Sequence, residues 1–205
     1  MKNWICASAF AAGLLYATGA AAQAVIGQPA PAFSVVDAAG KTVSLADYKG
    51  KHVVLEWVNP GCPYVQKHYN SGNMPATQKA AVSQGVAWLT ISSTSKDASD
   101  YKPPADLAAW IRGKEGAPTA TLMDDDGKIG RAYGARTTPH MYLIDPQGRV
   151  IYAGAIDSKP TANPADIKTA TNYVSQAIGE ATAGKPPSQP TTRAYGCSIK
   201  YSNAS

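Results

Sequence analysis

The sequence predicts an α/β domain. A central mixed β-sheet is flanked by helices on both faces, with an extra β-hairpin before it and a tail after it. Three observations predict this. Segments of strand pattern and helix pattern alternate through the middle of the chain. The run "HVVLEWV" is apolar almost throughout and rich in β-branched residues, as a strand buried on both faces requires. Two alternating strands joined by Asp145-Pro146-Gln147-Gly148 follow, and then a helical period.

The elements are read in order. Residues 1–22 have a short positive start at Lys2, an apolar run over 4–16 and A-x-A sites at 20–24. This is the pattern of a secretory signal peptide, with cleavage possible as late as 24. It predicts export to the periplasm and no membrane attachment after cleavage. The domain is expected over 23–184, and an irregular tail over 185–205. In the domain, "FSVVD" and the run Thr42 to Leu45 form the hairpin around Ala39-Gly40-Lys41. After the strand "HVVLEWV", Pro60-Gly61 turns the chain, and Pro63 suits the first turn of a helix. "GVAWLTISST" is a strand. "PPADLAAWIRGK" is a helix with Leu107, Trp110 and Ile111 at helical spacing. "TATLMDDDGK" runs from a strand into what reads as a hairpin turn; the order of its acidic residues is not that of a calcium loop. A single helix is expected from the cap Asn163 and Pro164 to Gly184. The tail, rich in Pro, Ser and Thr, has no helical period.

Composition narrows the function. There are 19 basic and 14 acidic residues, a net charge of +5. They are scattered, with no basic run and no aromatic interleaving, so nucleic acid is not an expected partner. No cofactor or metal is expected. Of three cysteines, Cys6 lies within the signal segment, which leaves Cys62 and Cys197. In an oxidising compartment two cysteines can be one structural disulfide or a redox pair. Cys62 stands where a helix is expected to begin. Unpaired N–H groups and the helix dipole there favour a thiolate. Lys67 and His68 would add to this only if they were brought back toward it. Cys197 is 135 positions away. Closing that loop could stabilise the fold by roughly 5 kcal/mol in the chain-entropy picture.

The run "IGQPAPAFSVVDAAGKTVSLADYKGKHVVLEWVNPGCP" resembles the opening of the redoxin branch of thioredoxin-fold proteins. That branch includes alkyl hydroperoxide reductase and thiol-specific antioxidant proteins and periplasmic thiol–disulfide oxidoreductases. The resemblance extends over roughly residues 25–180, and is strongest to a peroxiredoxin-like subgroup with the pattern N-P-x-C-P-x-V-x-K-H-Y, here Asn59 to Tyr69, and a tail like "YGCSIKY". It implies a thioredoxin-like fold and thiol-based redox activity. It also implies that Thr138-Pro139 is a cis-proline loop facing Cys62, where an extended peptide could pair, with Trp57 and Tyr64 as walls. The chain departs from two family patterns. Position 65, where C-x-x-C has its second cysteine, is Val65. The Pro and Thr of P-x-x-x-T-x-x-C are replaced by Leu55 and Asn59. Efficient peroxidase activity is therefore not expected. The expected chemistry is thiol–disulfide exchange, with Cys62 as nucleophile and Cys197 as its disulfide partner, acting on a protein or small thiol or disulfide. Two alternatives stay open: a non-catalytic module pinned by a Cys62–Cys197 disulfide, and a copper-binding protein using Cys62, His68, His140, Met141 and Cys197.

Overall fold

Five strands form the central sheet, in the order β5 (Ala120–Met123), β4 (Ala87–Ser92), β3 (Val53–Trp57), β7 (His140–Ile144) and β8 (Val150–Gly154). The computed structural model describes residues 24–202, so the signal-peptide reading and Cys6 lie outside the described residues. Strands β3, β4 and β5 run parallel. Strand β7 joins β3 antiparallel, and β8 follows it through the expected hairpin. The hairpin β1 (Ser34–Val36) and β2 (Thr42–Ser44) forms as expected. It is tied to the β5 edge by the bridge Asp37↔Leu122.

Alternation along β3 sends its side chains into two cores. Val54 joins Val58, Cys62, Val65, Met74 and Trp88 under α1 (Pro63–Asn70), α2 (Asn73–Ser83), α3 (Pro104–Gly113) and α5 (Tyr173–Thr182). Val53, Leu55 and Trp57 join Leu89, Ile91, Tyr133 and Tyr142 on the opposite face, covered by α4 (Lys128–Tyr133) and the β1–β2 hairpin. Helices thus cover both faces of a mixed sheet.

Two local expectations are corrected. Residues 123–128 do not turn a hairpin; they lead from β5 into α4, whose first turn is held by Asp124 accepting from the N–H groups of Ile129 (3.0 Å) and Gly130 (2.8 Å). The single helix expected from Asn163 is two pieces. A 3₁₀ turn, Pro164–Thr169, stops where Ala170 turns extended, and α5 starts again from the cap Asn172. Residues 185–202 are largely irregular but not loose. Thr191 bridges Ala153 beside β8, and the segment closes as β9 (Cys197–Ser198), antiparallel to β6 (Thr137–Thr138). Tyr201 then donates to Ala135 O at 2.7 Å, and Arg131 stacks on its ring.

Candidate active site

Cys62 is the N-cap of α1, with extended backbone (φ −80°, ψ 122°), and Pro63 opens the helix. The preceding loop is built by Asn59. Its Oδ1 accepts from Gly61 N at 2.7 Å, and its carbonyl accepts from Cys62 N at 3.0 Å. Its amide donates to Asp100 Oδ2 at 2.9 Å and to Thr94 Oγ1 at 3.3 Å. Gln66 Nε2 reaches back to Pro60 O at 2.9 Å. The loop is therefore rigid, and it holds Cys62 at 2 % exposure.

Across from Cys62 stands the loop before β7. Thr138-Pro139 is a cis peptide, and the Cys62 thiol donates to Thr138 O at 3.0 Å. Strand β9 pairs with this same loop, placing Cys197 opposite Thr138. Ile199 N continues the ladder to Arg136 O at 3.0 Å. The Cys197 thiol lies within hydrogen-bonding reach of Cys62, and both cysteines are free thiols in this structure. Burial, then the hydrogen bond and the charge of Cys62, push the Cys197 thiol up to about 12. Gly196 makes the approach possible. Its φ is +138°, and a Cβ there would stand 2.0 Å from Thr138 O. Gly196→Ala is expected to lift β9 off Thr138. A backbone strain of about 1–3 kcal/mol should raise the open population, and with it Cys62 alkylation by iodoacetamide, about tenfold; an unchanged alkylation rate would count against this packing.

Other residues singled out in the sequence are placed differently. Trp57 is not a wall of the site. It is fully buried in the opposite core, because alternation along β3 turns it away, and its Nε1 donates to Ser93 Oγ at 2.9 Å. Tyr64 stays beside the site, edge-on to Tyr195 with ring centroids 5.8 Å apart. Lys67 and His68 do not bend back to Cys62; they point at Asp157, with Lys67 Nζ 3.2 Å from its Oδ2. His140 packs against Tyr142 at 4.9 Å, and its Nδ1 accepts from Arg136 N at 3.3 Å. The copper set does not converge: among the described residues no three His, Cys, Asp or Glu side chains are placed to hold a metal ion.

Burial holds both His68 and His140 down to about 4. At His68 the Asp157 carboxylate opposes the shift and Lys67 adds to it; at His140, Arg136 adds. Unfolding restores the ordinary value of 6.5, so below that pH the unfolded chain binds more protons than the folded one. Stability should be fully present above pH 6.5 and be lost as pH falls toward 4, by up to about 1.4 kcal/mol per pH unit for each histidine. His140→Gln should flatten the slope by one proton in urea titrations across that window. A slope equal to the wild type would contradict this.

Sequence reasoning missed Glu56, which carries the one acidic group inside "HVVLEWV" and is 0 % exposed. It accepts from Trp88 Nε1 (2.7 Å), Tyr69 OH (2.8 Å), Gln78 Nε2 (2.9 Å) and Thr90 Oγ1 (3.2 Å). Burial raises its carboxyl above the ordinary range, and these four donors oppose the shift. A lone acid in an apolar strand was the available signal.

Residues 26–153 match the model of the AhpC/TSA family. The chain is 30% identical over 128 residues to the thiol-disulfide oxidoreductase ResA of Bacillus thuringiensis subsp. konkukian, covering 62% of this chain and 67% of that one. It is 28% identical over 145 residues to the peroxiredoxin Bcp of Bacillus subtilis, covering 62% and 82%. Among solved structures, an uncharacterized conserved protein from Geobacillus kaustophilus superposes with a TM-score of 0.75 at 22% identity, over 88% of this chain and 94% of that one. That likeness concerns the fold alone.

Proposed function

The chain belongs to the AhpC/TSA family, and from that membership and the meeting of its two described cysteines we propose that it is a thiol–disulfide oxidoreductase. Cys62 is the attacking thiol and Cys197 the resolving one. The observation that carries this reading is the pairing of β9 with the cis-proline loop, which brings Cys197 to Cys62 across 135 positions of chain. Cys62 takes the attacking role because it caps the N-terminus of α1, where the helix end favours an anion. Its thiolate attacks one sulfur of a substrate disulfide, forming a mixed disulfide and releasing the other sulfur as a thiol. Cys197 then attacks the Cys62 sulfur, closing Cys62–S–S–Cys197 and releasing the second thiol. The order suits the electrostatics. While Cys62 carries a proton or a charge, it helps hold the Cys197 thiol up to about 12. Once Cys62 is bound in a mixed disulfide, that hydrogen bond and that charge are gone, and burial with the Asp100 charge still opposes ionisation of Cys197 while Lys200 favours it.

Substrate entry requires movement. The edge of Thr137–Thr138, where an extended peptide would pair, is taken by β9, and Cys62 lies beneath it. The substrate is a disulfide or thiol of a protein or a small molecule, met in the periplasm. Among the described residues no helix is long and apolar enough to cross a membrane.

The dense anchoring of residues 191–202 favours one second reading, in which a Cys62–Cys197 bond serves only to pin this segment. Turnover separates the two. With dithiothreitol as reductant and insulin as disulfide, the wild type should turn over and Cys62→Ser should fall to background; equal background rates for both would favour the pinning role. Peroxide is expected to be a poor substrate, because Leu55 and Asn59 replace the Pro and Thr of the peroxidase pattern, and Asn59 is committed to Gly61, Thr94 and Asp100. Stopped-flow oxidation of Cys62 by hydrogen peroxide should run no faster than that of an ordinary thiolate. A rate in the range of dedicated peroxidases would overturn this expectation.

A further inference from the structure

Tyr195 stands two positions before Cys197, and its hydroxyl enters a buried polar cluster. The cluster is built by α1 and the loop after β8. Lys67 is 1 % exposed and Asp157 2 %. Lys67 Nζ lies 3.2 Å from Asp157 Oδ2 and donates to Lys159 O at 2.8 Å. The Tyr195 hydroxyl donates to Asp157 Oδ1 and lies 3.2 Å from His68 Nε2. Asn73 donates its amide to His68 Nδ1 at 2.8 Å, which leaves the histidine proton on Nε2. A line of donors therefore runs from His68 through Tyr195 to Asp157. The Tyr195 ring completes the packing, with Lys67 Nζ 5.6 Å from its centroid.

This arrangement has a direction. A buried carboxylate needs its lone pairs filled. Asp157 Oδ2 is filled by Lys67, while Oδ1 has the backbone N–H of Lys159 at 3.0 Å and the Tyr195 hydroxyl. The cluster thus presents a receptor for one hydroxyl, and the tail supplies it. Gly196 follows at once and leads into β9, so seating Tyr195 fixes where Cys197 falls.

We propose that Tyr195 is a positioning residue: by docking in the Lys67–Asp157–His68 cluster it holds residues 195–198 in register on Thr138 and so sets the effective concentration of the Cys197 thiol at Cys62. The inference rests on the reading that Cys62 and Cys197 exchange. Tethered thiols close a disulfide in proportion to how often they meet in the right geometry, so the anchor acts on the equilibrium itself.

The test is equilibration of the full mature chain with glutathione buffers. Two protein thiols are oxidised to one disulfide while glutathione disulfide is reduced to two glutathione thiols, which take up both protons. Tyr195→Ala should lower the equilibrium constant for closing Cys62–Cys197 by about tenfold, a rise of about 30 mV in midpoint potential. Tyr195→Phe keeps the ring and loses only the hydroxyl, and should lower the constant about threefold. Circular dichroism and thermal unfolding of each variant give the stability separately. A role in stability alone would lower the melting temperature and leave the constant where it was; constants for both variants equal to the wild type would overturn the positioning role while leaving the exchange reading intact. A wild-type protein that closes no Cys62–Cys197 bond at any glutathione ratio would overturn both.

Discussion

Cys197→Ser protein should accumulate mixed disulfides on Cys62, and Cys62→Ser protein should accumulate none on Cys197. The asymmetry follows from where the two thiols sit. Cys62 caps α1, at the end where the helix dipole favours an anion. Cys197 sits on a two-residue strand and caps no helix itself, and burial leads the causes that push its thiol up. Serine at 197 keeps β9 and its pairing with Thr138 but removes the sulfur that would resolve the intermediate. Every substrate caught by Cys62 then stays caught. Trapping will be gated by the opening of β9, since Cys62 is otherwise covered, so Gly196→Ala in the Cys197→Ser background should quicken it. Mass spectrometry of periplasmic extracts, without reduction, reads the adducts and their sites. Equal trapping by both single variants, or by neither, would remove the assignment of attacking and resolving roles.

Glu56→Ala should be the most destabilising single substitution outside the apolar cores. It leaves Trp88 Nε1, Tyr69 OH, Gln78 Nε2 and Thr90 Oγ1 without their shared acceptor inside the protein. Each unsatisfied buried donor costs about 1–3 kcal/mol, partly relieved where two of them can find each other, as Gln78 and Tyr69 already do at 3.1 Å. A loss of about 4 kcal/mol is expected, a large part of the stability of a domain this size. Glu56→Gln fills the space and retains one acceptor oxygen, but turns an NH₂ group toward donors, so an intermediate loss is expected. Urea unfolding with the slope held constant measures both. A loss below about 1 kcal/mol for Glu56→Ala would mean that water replaces the carboxylate, and that the network is not as dry as its geometry indicates.

The parts of this molecule legible in the sequence are those written by local rules. The apolar run 52–58 made β3 because a strand covered on both faces has no polar side to display. Pro63 marked the start of α1 and so placed Cys62 at its cap. Thr138-Pro139 is cis as its context implied. The parts that were hidden depend on distant partners. Lys67 and His68 read only as residues that would have to bend back to reach Cys62, and their true partner is Asp157, 90 positions on from Lys67. Helix α4 has six residues between Gly127 and Gly134, both in left-handed conformation, and two such breakers read as a turn. The helix from Asn163 divides because Ala170 adopts extended backbone, which no side-chain pattern announces. The tail's composition announced only an irregular segment, and its hold on the domain comes from backbone pairing with Thr138 and Arg136 and from Tyr195 and Tyr201. Pairing of that kind leaves little trace in residue type.

The central claim is that Cys62 and Cys197 form a redox couple that is used. Its most direct test is a redox titration of the mature wild-type protein, with the bond identified by non-reducing peptide mapping. The account predicts a single Cys62–Cys197 disulfide that opens and closes reversibly with a midpoint above about −300 mV, within reach of thiol buffers. A bond that stays closed below about −300 mV would make it a structural staple, and a protein that forms no bond between these two cysteines under oxidising conditions would contradict the account outright.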